Sequence, residues 1–266
     1  MQTATQRTLR LVKFWRLTNP LHIAIWTKAR PIDPGVAEDS AGGDILRDLF
    51  EGLMAQDGDG NLVPGVATGY TVSDDKLTYT FTLRDNAKWS NGEPVVAGDF
   101  EYAWKRAASP ELASPYSWYI ELMSLENASA VIAGDMDPST LGVTAVDDST
   151  LVVKLTQPLP YFPQMVVHFT TFPVPRAVIE EFGSDWTKPG NMVSNGAYVL
   201  TEHVPQEKLV RERNVNYWDN ENTIIEKTTS LVINDENVAL TRFLAGELDR
   251  TEVPSGQFPA LEAEYP

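Results

Sequence analysis

Residues 77–106, LTYTFTLRDNAKWSNGEPVVAGDFEYAWKR, constrain the fold more than any other stretch. Leu77, Tyr79, Phe81 and Leu83 alternate with Thr78, Thr80 and Thr82, the period of a strand buried on one face. Ser90, Asn91 and Gly92 signal a turn, because Asn and Gly tolerate positive φ. Asp99 is placed to cap a helix on which Phe100 and Trp104 share a face, four residues apart. The run predicts a strand, a turn and a helix in direct succession. It says nothing by itself about function.

The same reading carries through the chain. Residues 45–54 form an apolar, helix-like stretch, followed by a tight acidic turn at Asp57, Gly58, Asp59, Gly60 and Asn61. A calcium loop needs more ligands and a closing bidentate Glu, so a β-turn is the favoured reading there. Residues 113–133 are helical in pattern, with Tyr116, Ile120, Met123 and Val131 facing inward. Two strands flank Asp147, Asp148 and Ser149, the second placing Leu151, Val153 and Leu155 on one face. Prolines 158, 160 and 163 force an extended segment, and Pro173 and Pro175 mark a boundary. A short helix at 177–182, paired strands at 196–200 and 208–213, and a strand at 229–233 follow. A helix at 236–245 is capped by Asn234 or Asp235 and ended by Gly246. Asn195 and Gly196 read as a turn. The mixture is that of an α/β or α+β chain.

Charge narrows the function classes. The formal net charge is −16 over 266 residues, which disfavours nucleic acid, a partner that needs clustered Lys and Arg. Residues 1–30 hold six cations and no acid, leaving 15 Lys and Arg against 37 Asp and Glu elsewhere. No apolar run of signal-peptide length follows the basic start, because Arg10 and Lys13 interrupt Leu9, Leu11, Val12 and Phe14. The absence of cysteine excludes disulfides, thiolate metal sites and cysteine nucleophiles.

The motifs RDLFEGL (47–53), PGVATGY (64–70), ASPYSWY (113–119), LPYFPQMVVH (159–168), PGNMVSNGAYVL (189–200), ERNVNYWD (212–219) and FLAGELD (243–249) occur in an order and spacing that resemble extracellular solute-binding proteins of family 5. The resemblance is strongest to the oligopeptide-binding components of peptide ABC importers. It implies an α/β fold of the class II periplasmic-binding-protein type, incomplete here. Residues 1–50 and 176–266 would be two parts of lobe I, with 1–20 irregular and a strand at 21–25. Residues 51–175 would be an inserted domain, and the second lobe would be missing from this chain.

The resemblance also implies a function. An extended oligopeptide would be held like an added strand, which tolerates many sequences because backbone groups are common to all peptides. Glu38, Asp39 and Ser40 match the lobe I segment bordering the peptide backbone, and Tyr116 matches a ligand-reaching tyrosine of the inserted domain. From the residue type alone Tyr116 reads as a core tyrosine. Trp89, Trp104, Trp186 and Trp218 read as core rather than as an aromatic site. The expected partners are the peptide and the permease subunits of an ABC importer. The expected setting is the periplasm or cell surface, with a monomeric carrier and no cofactor or metal. A dipeptide, a metal chelate or another small solute remains an alternative ligand within the family. A hydrolase using Glu180 and Glu181 or Asp147 and Asp148 is the rival from another class. The chain offers it only His22, His168 and His203 as near-neutral bases, with no metal spacing, nucleophile elbow or phosphate loop.

Overall fold

The computed structural model describes residues 21–25 and 32–264. The expectation for residues 1–20 lies outside them. The chain divides into two compact units. The described residues of the first are 21–25, 200–213 and 219–264; those of the second are 32–199 and 214–218.

The second unit is organised around an antiparallel sheet of order β4-β5-β7-β6, made of Ala67–Val72 (β4), Thr78–Leu83 (β5), Val143–Asp147 (β6) and Thr150–Lys154 (β7). The alternation in residues 77–83 does what its period implies. Tyr79, Phe81 and Leu83 are buried, and opposite them on β7 so are Leu151 and Val153. Earlier in the chain, Ser40–Leu49 forms helix α1, and Met54–Gln56 (β2) and Leu62–Pro64 (β3) form a hairpin around the acidic turn. The helix starts earlier than the apolar pattern indicated, because Asp39 caps it, and it ends at Leu49 where Phe50 turns extended at φ −132°. Asp57 uses its carboxylate on its own turn, accepting from the backbone N–H of Asp59 and Asn61 at 2.9 and 2.8 Å.

Helix α2 (Ala97–Ala108) packs on β6 and β7 through buried Phe100, Ala103, Trp104 and Ala107. Asp99 is not its N-cap, as the sequence suggested, but its third residue. Its Oδ2 reaches back to accept from Val96 N–H at 2.9 Å and from Trp89 Nε1–H at 3.1 Å. This is half of a capping box, the other half being unavailable because Val96 has no side-chain oxygen. Burial pushes the Asp99 pKa up to about 6, outweighing the two hydrogen bonds.

Residues 113–133 fold as two short helices, α3 (Ser117–Leu122) and α4 (Ala128–Ala133), rather than one. Ser124 and Asn127 break the run at φ 55° and 65°. Ile120, Met123 and Val131 are buried as expected. Two further short helices follow, α5 (Phe162–Met165) and α6 (Arg176–Phe182). Asn195 and Gly196 do more than turn the chain. The Asn195 side chain accepts from Glu51 N–H at 3.1 Å and donates to Glu51 O at 2.9 Å, as a neighbouring strand would. Gly196 lies so close to Leu49 and Phe50 that a Cβ would meet their backbone atoms at 2.7 Å. Close approach, not positive φ, requires this glycine.

In the first unit, β1 (Leu21–Ile25) runs parallel to β10 (Lys227–Val232), and β9 (Lys208–Arg213) and β8 (Tyr198–Val204) complete a sheet of order β1-β10-β9-β8. Asp235 caps α7 (Glu236–Leu244), accepting from Asn237 and Val238 N–H, and Gly246 leaves it at φ 77°. Ala24, Ile233, Ala239 and Leu248 form a core between sheet and helix.

Candidate ligand-binding site

Both segments singled out by the sequence lie within the second unit, and Phe169 links them. Asp39 arrives extended (φ −109°, ψ 156°) and its carboxylate accepts from Gly42 N–H at 2.8 Å. Capping satisfies one of the orphan N–H groups at the start of α1 and occupies that oxygen. Glu38 and Ser40, on either side, are exposed. Tyr116 sits half-buried at the start of α3, its ring centroid 5.0 Å from that of His168 and 5.5 Å from those of Trp118 and Phe169. Phe169 is the link: its ring covers Gly43 of α1, where a Cβ would fall 2.9 Å from Cε1. A glycine in the first turns of α1 therefore lets the Tyr116 cluster approach the segment at 38–40.

His168 and Tyr119 are both neutral at pH 7. His168 stacks on Tyr119 at 4.4 Å and packs against Phe169 at 4.2 Å. Its Nδ1 accepts from Thr170 N–H at 3.3 Å, which leaves the proton of the neutral ring on Nε2. Burial, reinforced by the charge of Arg47, lowers its pKa to about 4. Tyr119 donates to Met165 O at 2.9 Å, and burial raises its pKa to about 12. Among the described residues the Tyr116 hydroxyl has no hydrogen-bond partner, and Trp118 is 53% exposed. The result is a partly exposed aromatic surface beside a helix start, with the Arg47 guanidinium next to it. Its rings can pack against an extended ligand, and the Tyr116 hydroxyl can hydrogen-bond to it.

Sequence reasoning did not assign His168 and Phe169 to the site. They follow a proline-broken stretch with no period; His168 closes the motif at 159–168 and was considered only as a base, and Phe169 lies just beyond the motif. A second missed feature is the surroundings of Asp33, which is 3% exposed. Its carboxylate receives both terminal nitrogens of Arg106, at 2.9 and 2.7 Å, and Trp186 Nε1–H at 3.1 Å.

The four tryptophans are structural. Trp89, Trp104 and Trp186 are buried, and their indole N–H groups donate to Asp99, Thr171 O and Asp33. Trp218 donates to Glu51 Oε2 and lies under the guanidinium of Arg84, 3.3 Å from the ring centroid. The carboxylates considered for hydrolysis are exposed. Asp147 accepts from Ser149 N–H within its own turn, and Glu180 pairs with Arg176. Among the described residues no group of three or more His, Asp or Glu is placed to hold a metal ion, and no helix is long and apolar enough to cross a membrane.

Comparison with known proteins gives a consistent set of likenesses. The sequence profile of bacterial extracellular solute-binding proteins, family 5 Middle, matches residues 61–265. The periplasmic murein peptide-binding protein MppA of Escherichia coli (strain K12) is 47% identical over 236 residues, 88% of this chain and 44% of that protein. The periplasmic oligopeptide-binding protein OppA of Salmonella typhimurium is 43% identical over 242 residues, 90% of this chain and 44% of that protein. The solved structure of the Escherichia coli murein tripeptide-binding protein MppA superimposes with a TM-score of 0.88 at 45% identity, covering 94% of this chain and 49% of that one. The chain thus spans about half the length of the curated relatives it matches.

Proposed function

Because the chain belongs to the bacterial extracellular solute-binding proteins of family 5, we propose that it supplies one peptide-contacting surface of a carrier that delivers oligopeptides to an ABC importer. The family and these relatives are binding proteins rather than enzymes, and in the proposal no ligand bond is made or broken. The observation that carries the reading is the meeting of Tyr116 with the start of α1 through Phe169 and Gly43. Peptide backbone would run past residues 38–40, offering N–H and C=O groups that are the same in every peptide. Tyr116 and Trp118 would cover a side chain or peptide plane. The carrier would work as a monomer outside the cytoplasmic membrane, with permease subunits as its protein partners.

The lobe organisation is part of the same proposal. Residues 1–50 and 176–266 would be parts of one lobe and 51–175 an insert. Two contacts support the joining of the two lobe parts: the edge-on packing of Phe50 on Trp186 at 6.2 Å, and Gly196 N–H donating to Leu49 O at 2.9 Å. Expression of residues 51–175 alone tests it, since a discrete insert should unfold cooperatively. The binding proposal is tested by titrating the chain with trialanine, with and without Tyr116→Ala. Weaker binding by the variant supports the reading, and equal binding removes Tyr116 from the site.

A further inference from the structure

We propose that Asp33 is a positioning residue for ligand binding, holding residues 38–40 in place through Arg106 and Trp186. The inference rests on the reading of residues 38–40 and Tyr116 as peptide contacts.

Asp33 gathers three distant segments onto one carboxylate. Arg106 comes from α2, donating Nη1–H to Oδ1 at 2.9 Å and Nη2–H to Oδ2 at 2.7 Å. Trp186 follows α6 and donates Nε1–H to Oδ2 at 3.1 Å. Gly35 N–H donates to Oδ1 at 2.8 Å from within the same turn. The Asp33 carbonyl then accepts from Val36 and Ala37 N–H at 3.0 and 2.9 Å. Every residue from 33 to 37 except Pro34 is thereby tied to this one acid, and the knot ends one residue before Glu38. Gly35 is required by the same arrangement, since a Cβ there would stand 2.9 Å from Arg106 Nη1. Trp186 also packs edge-on against Phe50, at the other end of α1. One indole thus touches both the residue that follows α1 and the acid that ties down residues 33–37 ahead of it.

A buried ion pair is a poor device for stability alone, because an apolar pair of the same volume does as well. A bidentate, fully satisfied pair differs in fixing one geometry, where apolar contacts allow sliding. The segment it fixes here is the one proposed to run beside the peptide backbone. A backbone-pairing site gains most from such fixing, because its hydrogen bonds depend on the placement of main-chain atoms.

Trp186→Phe is the test. It keeps a ring against Phe50 but removes the N–H together with the pyrrole half of a buried indole, so the unfolding midpoint is read alongside. The full chain is titrated with trialanine by NMR, and amide exchange at Gly42 and Gly43 is read in the same samples. The inference expects the dissociation constant to rise roughly threefold or more, with faster exchange at both glycines. Gly35→Ala, which crowds Arg106 from the other side, should shift both readouts in the same direction. A lower unfolding midpoint with unchanged affinity and unchanged exchange would make the knot structural only and overturn the inference. Tyr116→Ala separates the two levels. If it weakens binding while Trp186→Phe does not, the positioning role alone fails. If neither does, or the unaltered chain shows no trialanine shifts, the site reading itself fails.

Discussion

Trp89 donates its indole N–H to the carboxylate of Asp99 at 3.1 Å, and that carboxylate is buried deeply enough for its pKa to rise to about 6. The strand-turn-helix unit at 77–106 is therefore closed by an acid that resists ionising. Its folded pKa lies above the unfolded value, so the folded state holds the proton more tightly. The contribution is fully present below about pH 4 and is lost as pH rises through about 6. Urea unfolding across this range should show Asp99→Asn removing a pH-dependent component on the order of 2 kcal/mol. An unchanged pH profile would mean that Asp99 is solvated.

Gly196→Ala should be among the most damaging single methyl additions in the chain. The added Cβ meets backbone atoms of Leu49 and Phe50 at 2.7 Å, which cannot swing aside as a side-chain tip can. A loss of about 2 kcal/mol or more is expected in urea unfolding. Gly58→Ala, with nothing within 4 Å of its Cβ, is the control and should cost far less.

His168 should remain neutral through the physiological range. Its pKa is lowered to about 4 by burial first and by Arg47 second. For a base, a lowered folded pKa gives stability that is present above the unfolded value of ~6.5 and lost as pH falls toward 4. An NMR titration of the His168 ring should show no midpoint above about pH 5. A midpoint near 6.5 would place the ring in water and open the aromatic cluster.

Tyr116→Phe separates hydroxyl from ring. The hydroxyl has no partner among the described residues, so stability should change by less than about 0.5 kcal/mol. Tyr116→Ala should also lose the packing on Trp118, His168 and Phe169. If Tyr116→Phe weakens trialanine binding at unchanged stability, the hydroxyl reaches the ligand. Binding equal to that of the unaltered chain would leave only the ring in contact.

The readable parts of this fold are those where a local period or a cap decides structure. Tyr79, Phe81 and Leu83, and Leu151 and Val153, went to the core because a strand of period 2 with one buried face permits nothing else. Gly246 and the acid at 235 ended and began α7 for equally local reasons. What was not readable depends on partners far away in sequence. Asp99 looked like a cap, and its actual position as third residue is set by Val96, which is extended at φ −118° just before the helix. Asn195 looked like a turn residue, and only the fold brings it to Glu51. The candidate site shows the same division. The segments at 38–40 and 116 came from family resemblance, whereas Phe169, Gly43 and the distant partners of Asp33 carry no local signature. They are tertiary contacts between segments that have no reason to meet until the core forms.

The most direct test of the central claim is a residue-resolved NMR titration of the 266-residue chain with trialanine. Contacts supplied by this chain alone should give a dissociation constant of millimolar order, because the cost of association is met by fewer contacts. The account expects amide shifts centred on Glu38, Asp39 and Ser40 and on Tyr116 and Trp118, saturating together. Shifts confined to other residues, or none at about 10 mM peptide, would contradict it.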